Sequence, residues 1–166
     1  MIMAAQKRVG LAWAGRAFTF IEVAVVIIII GILAAMVIPR FGNVTDEART
    51  ASLQGTLGSV RSAIAGFRTA RILAGGSPYP TLVELTTNGT VLEQEIPANP
   101  FTGVRGVQSV SAAQAAARAV ASPTQYGWNY YVDNSATPPA AVFYPNCTTE
   151  TTVTNAAGAA SGANTL

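Results

Sequence analysis

The chain has 166 residues, of which 50% are apolar and only 11% are charged, and its formal net charge is +2. Lys7, Arg8 and Arg16 precede residue 18, and the seven arginines that follow are scattered, which argues against a nucleic-acid-binding surface. Histidine is absent, so the commonest general base and metal ligand is missing, and the single cysteine, Cys147, excludes an intramolecular disulfide.

Residues 18–38 form the most apolar run of the chain and contain a single charged side chain, Glu22. As a helix this run would extend about 31 Å, which matches the thickness of a bilayer core. The basic residues on its N-terminal side predict a cytoplasmic N-terminus and an exported C-terminal part. The run is too long for a conventional secretory signal, and no small-x-small cleavage site follows it. We therefore expect one membrane span at 18–38.

Glu22 is unusual in such a span. An ionisable side chain is costly at the centre of a bilayer and less so near its interface, so it usually has a partner or a function. The alternative is that Glu22 lies close enough to the interface to stay hydrated. A plain membrane anchor would have no need of this carboxylate.

The residues around Glu22 form a family pattern. The stretch 17–23, with the sequence AFTFIEV, followed by Gly31 and Pro39, resembles the N-terminal signature of type IV pilins and pseudopilins. Counted from Phe18, Glu22 is the fifth residue, Gly31 the fourteenth and Pro39 the twenty-second, as in that family. The resemblance implies that a prepilin peptidase cuts before Phe18 and methylates the new amino group.

Two residues depart from the family pattern. Ala17 stands where glycine usually precedes the cut, and Phe20 stands where leucine is common. Cleavage after Gly15 instead would make Glu22 the seventh residue and break the register. The expected cut therefore stays between Ala17 and Phe18.

The resemblance also implies roles in assembly. The amino group created at Phe18 needs a counter-charge in a low-dielectric medium, and Glu22 of a neighbouring subunit would supply it, with Thr19 beside it. Such a pair would set the axial register of the subunits. Gly31 would permit close helix packing, and Pro39 would end or kink the helix.

The pattern changes to an amphipathic helix after residue 38. Apolar side chains recur at spacings of three and four residues, at Leu53, Leu57, Val60, Ile64 and Phe67. Residues 39–73 are therefore predicted to continue the helix, with this stripe packed as core against a small domain. Residues 74–78 end the helix with glycines and a proline.

The small domain is predicted at residues 74–147. Residues 79–103 resemble the middle of the major pseudopilin of type II secretion systems, which implies a short helix and a proline-rich loop ahead of a small antiparallel sheet. Residues 126–132 and 141–144 are typical of two hairpin strands, and residues 111–121 of a short helix or an insertion.

The expected fold class is α+β and pilin-like, with a long N-terminal helix packed on a small antiparallel sheet. Residues 1–17 are expected to be a cytoplasmic leader that is removed. Residues 148–166 are rich in threonine, alanine, glycine and asparagine and have almost no core-forming side chains. They are expected to be a flexible tail.

Two hypotheses concern ligands. The pseudopilin resemblance implies calcium in the C-terminal loops, but calcium prefers six to eight oxygens and the acids there are few, which leaves Asp133 and Asn134 as candidates. We expect no cofactor. Trp128 and Tyr130 could form a glycan platform, although aromatic side chains in a small sheet are more often its core.

The sequence predicts a structural protein and not an enzyme, because no nucleophile–base pair, metal cluster or phosphate-binding loop is recognisable. The leading hypothesis is a subunit of the pseudopilus of a type II secretion system, held in the bacterial inner membrane with its C-terminal domain in the periplasm. Its expected partners are other copies of itself, the prepilin peptidase, other pseudopilins, inner-membrane secretion or pilus assembly proteins, and the lipid bilayer.

Two alternatives stay open. The first is a major or minor subunit of a surface pilus for adhesion, motility or DNA uptake. The single Cys147 argues against it, because many pilins close a C-terminal loop with a disulfide. The second is a membrane-tethered domain that binds glycans or proteins.

Overall fold

The computed structural model describes residues 18–166, apart from the side chains of residues 37–43. It contains two compact units, residues up to 41 and residues 42–166. The helices and strands in chain order are α1 (Phe20–Leu73), α2 (Leu82–Thr86), β1 (Val107–Ser109), α3 (Ala112–Ala116), β2 (Trp128–Asp133), β3 (Ala140–Pro145), β4 (Glu150–Thr154) and β5 (Ala160–Gly162). A 3-10 turn, Ala163–Thr165, follows β5. The content is α+β, as the sequence predicted.

The amphipathic part of α1 contributes one side of the core. Leu53, Leu57, Val60 and Ile64 are all less than a tenth exposed, which confirms four of the five predicted stripe positions as core; Phe67 is only partly buried. The helix ends at a glycine because Gly75 adopts a φ of 72°, a left-handed conformation that side chains disfavour.

A three-stranded sheet contributes the other side of the core. β2 and β3 pair antiparallel, with Trp128 opposite Pro145 and Asp133 opposite Ala140, which confirms the predicted hairpin. β1 pairs with β2 in parallel, so the sheet is mixed and not purely antiparallel. The sequence does not predict β1, because a strand of three residues is too short to show a recognisable periodicity.

The aromatic residues of the hairpin lie inside. Trp128 and Tyr130 are 0% and 1% exposed, and the rings of Trp128 and Phe143 stack with centroids 5.4 Å apart. The Trp128 indole donates a hydrogen bond of 2.9 Å to the Pro97 carbonyl oxygen. The core interpretation is confirmed, and neither ring is presented for a glycan.

The segment 148–166, expected to be a flexible tail, is ordered. β4 and β5 pair antiparallel, the Thr151 hydroxyl donates to the Ser161 carbonyl oxygen at 2.8 Å, and Ala163 is fully buried in the core. The expectation was wrong because these residues are held by partners elsewhere in the chain. Composition alone does not show such partners.

The N-terminal unit has a different character. In its described part the large apolar side chains are exposed, from Phe18 at 78% and Phe20 at 91% to Met36 at 65%. Among the described residues, no helix meets the length and apolarity needed to cross a membrane.

Candidate assembly site

The start of α1 is built by Thr19 and Glu22. The Glu22 amide donates to the Thr19 hydroxyl at 3.3 Å and to the Thr19 carbonyl oxygen at 3.1 Å. The Thr19 side chain thereby caps the helix, sharing the Glu22 amide with the Thr19 carbonyl oxygen. Glu22 lies in the first turn, where a negative charge interacts favourably with the helix dipole.

The Glu22 carboxylate has no partner within the described chain. Glu22 is exposed, and its side chain makes no hydrogen bond or ion pair with any residue that the structure describes. Phe18, Glu22, Val23 and Val26 together line a shallow groove on the helix surface. The structure thus brings the predicted residues Phe18, Thr19 and Glu22 together at one end of α1.

The surface around this carboxylate is apolar on all sides of the helix. Beyond the residues already named, exposed large apolar side chains are found at Ile21, Val25, Ile27, Ile28, Ile29, Ile30, Ile32 and Leu33. A helix that is apolar all round is normally buried in protein or in lipid. This part of α1 therefore presents a surface that other molecules must cover.

The remaining predicted residues lie apart from this end. Gly31 lies inside α1, and a Cβ built on it would meet nothing within 4 Å, so no contact with the described residues requires glycine there. Pro39 lies within the bounds of α1, but its side chain is outside the described residues, and the predicted kink is untested. Ala17 also lies outside the described residues.

One comparison with known proteins places the chain in a family. The type IV narrow pilus major component PilA5 of Thermus thermophilus is 38% identical over 102 residues, which cover 88% of that protein and 55% of this chain. The chain belongs to the type IV pilin family. No family model and no solved structure matches it. As a pilin it is a structural subunit rather than an enzyme, and its α+β architecture is that of a pilin, as the sequence predicted.

The calcium candidates of this pilin are engaged in the β2–β3 loop. Asp133 Oδ1 accepts hydrogen bonds from the Ser135 hydroxyl at 2.6 Å and from the amides of Ser135 and Ala136 at 2.8 and 3.0 Å. These bonds, led by that of the Ser135 hydroxyl, lower the pKa of Asp133. Asn134 is bonded to the amide and carbonyl of Tyr79 at 2.9 and 2.8 Å.

The Asp133 side chain therefore stabilises the loop itself, and the Asn134 side chain attaches the loop to Tyr79. In the part of the chain that the structure describes, no group of three or more His, Cys, Asp or Glu comes together that could hold a metal ion. Calcium binding stays an untested prediction.

The single cysteine of the pilin is internal. Cys147 is 5% exposed, and the Asn99 side-chain amide donates to its Sγ at 3.5 Å. Burial raises the pKa of the Cys147 thiol. Cys147 therefore acts as a small core residue in this domain.

Proposed function

We propose that this pilin polymerises into a type IV filament through its N-terminal helix, after a prepilin peptidase has removed residues 1–17. The observation that carries the proposal is the exposed Glu22 carboxylate, which has no partner among the described residues and lies among exposed apolar side chains. The family membership of the chain supports it.

The physical argument starts from the apolar surface. Packing residues 18–36 against neighbouring helices removes that surface from water, at about 25 cal/mol per Å² of apolar area. The same packing buries Glu22, and a buried carboxylate without a partner is strongly unfavourable. Cleavage before Phe18 creates an amino group that can pair with Glu22 of the next subunit, and this pair fixes the axial register.

Before assembly, we infer, the precursor lies in the bacterial inner membrane with residues 18–38 in the bilayer. Lys7, Arg8 and Arg16 would stay on the cytoplasmic side, and the small domain would be periplasmic. The peptidase would then meet the Ala17–Phe18 bond at the membrane surface and methylate the new amino group. The exposed apolar side chains of α1 support contact with lipid.

The filament that we favour is a surface pilus, because the relative with 38% identity is a major pilus component. The pseudopilus of a type II secretion system is the second candidate. It is favoured by Cys147, which is unpaired and buried, and by the pseudopilin-like stretch 79–103. In either system the partners would be further copies of the chain, the peptidase and inner-membrane assembly proteins.

The first experiment compares Glu22→Gln with the wild type in the native cell. Intact mass and N-terminal sequencing report processing, and sedimentation of sheared filaments reports assembly. We expect a methylated Phe18 at the start of both mature chains, and at least about tenfold less filament for the variant, because a buried charge pair exceeds the 1.4 kcal/mol of a tenfold effect. Glu47→Gln, an exposed acid further along α1, is the matched control.

A mature chain that begins elsewhere, or equal filament yields from the two glutamine variants, would overturn the proposal.

A second measurement separates pilus from pseudopilus. Deletion of the protein should remove sheared surface filaments while secreted proteins stay at normal levels. Loss of secreted proteins with no surface filament at wild-type expression would favour the pseudopilus.

A further inference from the structure

A cavity of about 320 Å³ lies between α1 and β3, in the unit of residues 42–166. Three arginines line it: Arg61 and Arg68 from α1, and Arg118 from the segment after α3. Ile64 and Val142 contribute an aliphatic wall. No acidic side chain lines the cavity. Leu166 also lines it and presents an oxygen to Arg61, so the cavity combines three positive charges with one main-chain acceptor and an apolar wall.

These three arginines, unlike Arg49, Arg71 and Arg105, form no ion pair with an acidic side chain of a described residue. The ion pairs of the described residues are Arg49–Asp46, Arg71–Glu84 and Arg105–Glu95. Arg61 donates to backbone oxygens, to Phe143 from Nε at 3.3 Å and to Leu166 from Nη2 at 2.9 Å. Arg68 lies 5.1 Å from the centroid of the Tyr79 ring.

Arg118 is the least satisfied of the three. Its Nη1 is buried and has no hydrogen-bond partner in the described part of the chain. Its guanidinium lies 5.2 Å from the centroid of the Tyr144 ring. A buried donor on a charged group without a partner is costly, because the group has lost its hydration.

The backbone of Arg118 is also strained. Its φ is 50°, in the left-handed region that residues with a Cβ disfavour, and its carbonyl oxygen accepts a hydrogen bond of 2.8 Å from the Asn164 side chain. Such strain persists where surrounding contacts hold a residue in place, and it is common at ligand-binding positions.

The charges of the cavity repel one another. Burial, and then the neighbouring charge of Arg118, lower the pKa of Arg61. Arg61 and Arg118 therefore lie close enough for their positive charges to repel each other. A bound anion would relieve this repulsion.

We propose that this cavity is a binding site for a small organic oxyanion, a carboxylate or phosphate group carried on a short apolar body. Guanidinium groups match the planar or tetrahedral oxygens of such anions with paired hydrogen bonds. The aliphatic wall of Ile64 and Val142 and the Tyr79 ring would contact the apolar body. All the residues that line this site belong to the unit of residues 42–166, whereas the assembly site consists of residues 18–36.

The test uses the full chain in detergent micelles, with inorganic phosphate and phenyl phosphate as probes and sodium chloride added to keep the ionic strength constant. Calorimetric titration and the thermal midpoint report binding. We expect saturable binding of both probes, with phenyl phosphate the tighter, and at least about tenfold weaker binding in Arg118→Gln, because a hydrogen bond to a charged group is lost.

Arg105→Gln, which changes an exposed arginine outside the cavity, is the matched control and should bind as the wild type does. It also corrects for the general stabilisation that phosphate gives to any folded protein. Arg68→Gln is the second variant if Arg118→Gln does not fold, and it too should weaken binding. Equal responses of the cavity variants and the control, or the absence of saturation, would overturn the site. Weaker binding of phenyl phosphate than of inorganic phosphate would overturn the apolar part.

Discussion

The Thr50 hydroxyl accepts a hydrogen bond of 3.2 Å from the Thr152 amide, across 102 residues of sequence. Thr50 lies in α1 and is 3% exposed, and Thr152 lies in β4. This bond attaches the last hairpin of the chain to the helix. Together with the buried Ala163, it explains why the C-terminal segment is ordered.

Replacing Thr50 with valine should loosen this attachment. Valine has a similar shape but no acceptor, so the Thr152 amide loses its partner inside the protein. We expect the free energy of unfolding to fall by about 0.5–1.5 kcal/mol, as for one lost hydrogen bond, because Thr152 is exposed and its amide can bond to water. Urea unfolding of the full chain in detergent measures it.

The control for this variant is Thr69→Val, on an exposed part of α1. The Thr69 hydroxyl donates a hydrogen bond only to the Ala65 carbonyl oxygen of its own helix. The control should change the free energy of unfolding by less. Equal losses in the two variants would mean that the bond between Thr50 and Thr152 contributes nothing specific.

Local periodicity explains which parts of the fold the sequence could predict. The α1 stripe that begins at Leu53 repeats every three or four residues, and β2 and β3 are rich in aromatic residues on either side of a turn, so both were recognised. β1 and β4 were not, because each is short and is held by residues distant in sequence. In the assembly site the family spacing located Phe18 and Glu22.

The arginine cavity likewise could be predicted from the sequence only in its local part. Arg61 and Arg68 are seven residues apart, so a helix places them on one face, and the sequence carried that signal. Arg118 comes from a separate segment, and only the folded chain brings it to the other two. The functional signal therefore depends on a tertiary contact that no spacing in the sequence specifies.

The cap at the start of α1 can be tested by changing Thr19. Thr19→Val removes the oxygen that accepts from the Glu22 amide, at a cost of about 1 kcal/mol for the first turn. Hydrogen exchange of the Glu22 amide, measured by NMR in micelles, should become about fivefold faster, since 1 kcal/mol corresponds to that factor. Thr19→Ser keeps the oxygen and should exchange as the wild type does. Equal rates in the two variants would exclude the cap.

The buried Tyr130 predicts a loss of stability at high pH. Its hydroxyl donates a hydrogen bond of 2.7 Å to the Pro80 carbonyl oxygen, and burial, followed by the charge of Glu84, raises the pKa of Tyr130 well above its usual value of 10.0. The folded state therefore holds the proton more tightly than the unfolded state does. The stabilisation is complete below about pH 10 and is lost as the pH rises towards the folded pKa.

Urea unfolding at several pH values measures this dependence. Tyr130→Phe should lower the free energy of unfolding by about 1 kcal/mol at pH 7, through the lost hydrogen bond. Above pH 10 the decline should be shallower in this variant than in the wild type, because the variant no longer carries the group responsible. Tyr126→Phe, on a partly exposed tyrosine, is the control. Parallel declines in wild type and Tyr130→Phe would rule out the buried tyrosine as the cause.

The thiol of Cys147 should resist alkylation in the native protein. It is 5% exposed, and burial raises its pKa, so the reactive thiolate is both scarce and shielded. Labelling then requires opening of the core, and we expect iodoacetamide at pH 8 to react at least about 100-fold more slowly in the native state than in urea. Ser62→Cys places a second thiol on an exposed position of α1 and should take up one label rapidly under native conditions. If the two native thiols react at similar rates, Cys147 is accessible, and a role in contacts between chains becomes the better explanation for it.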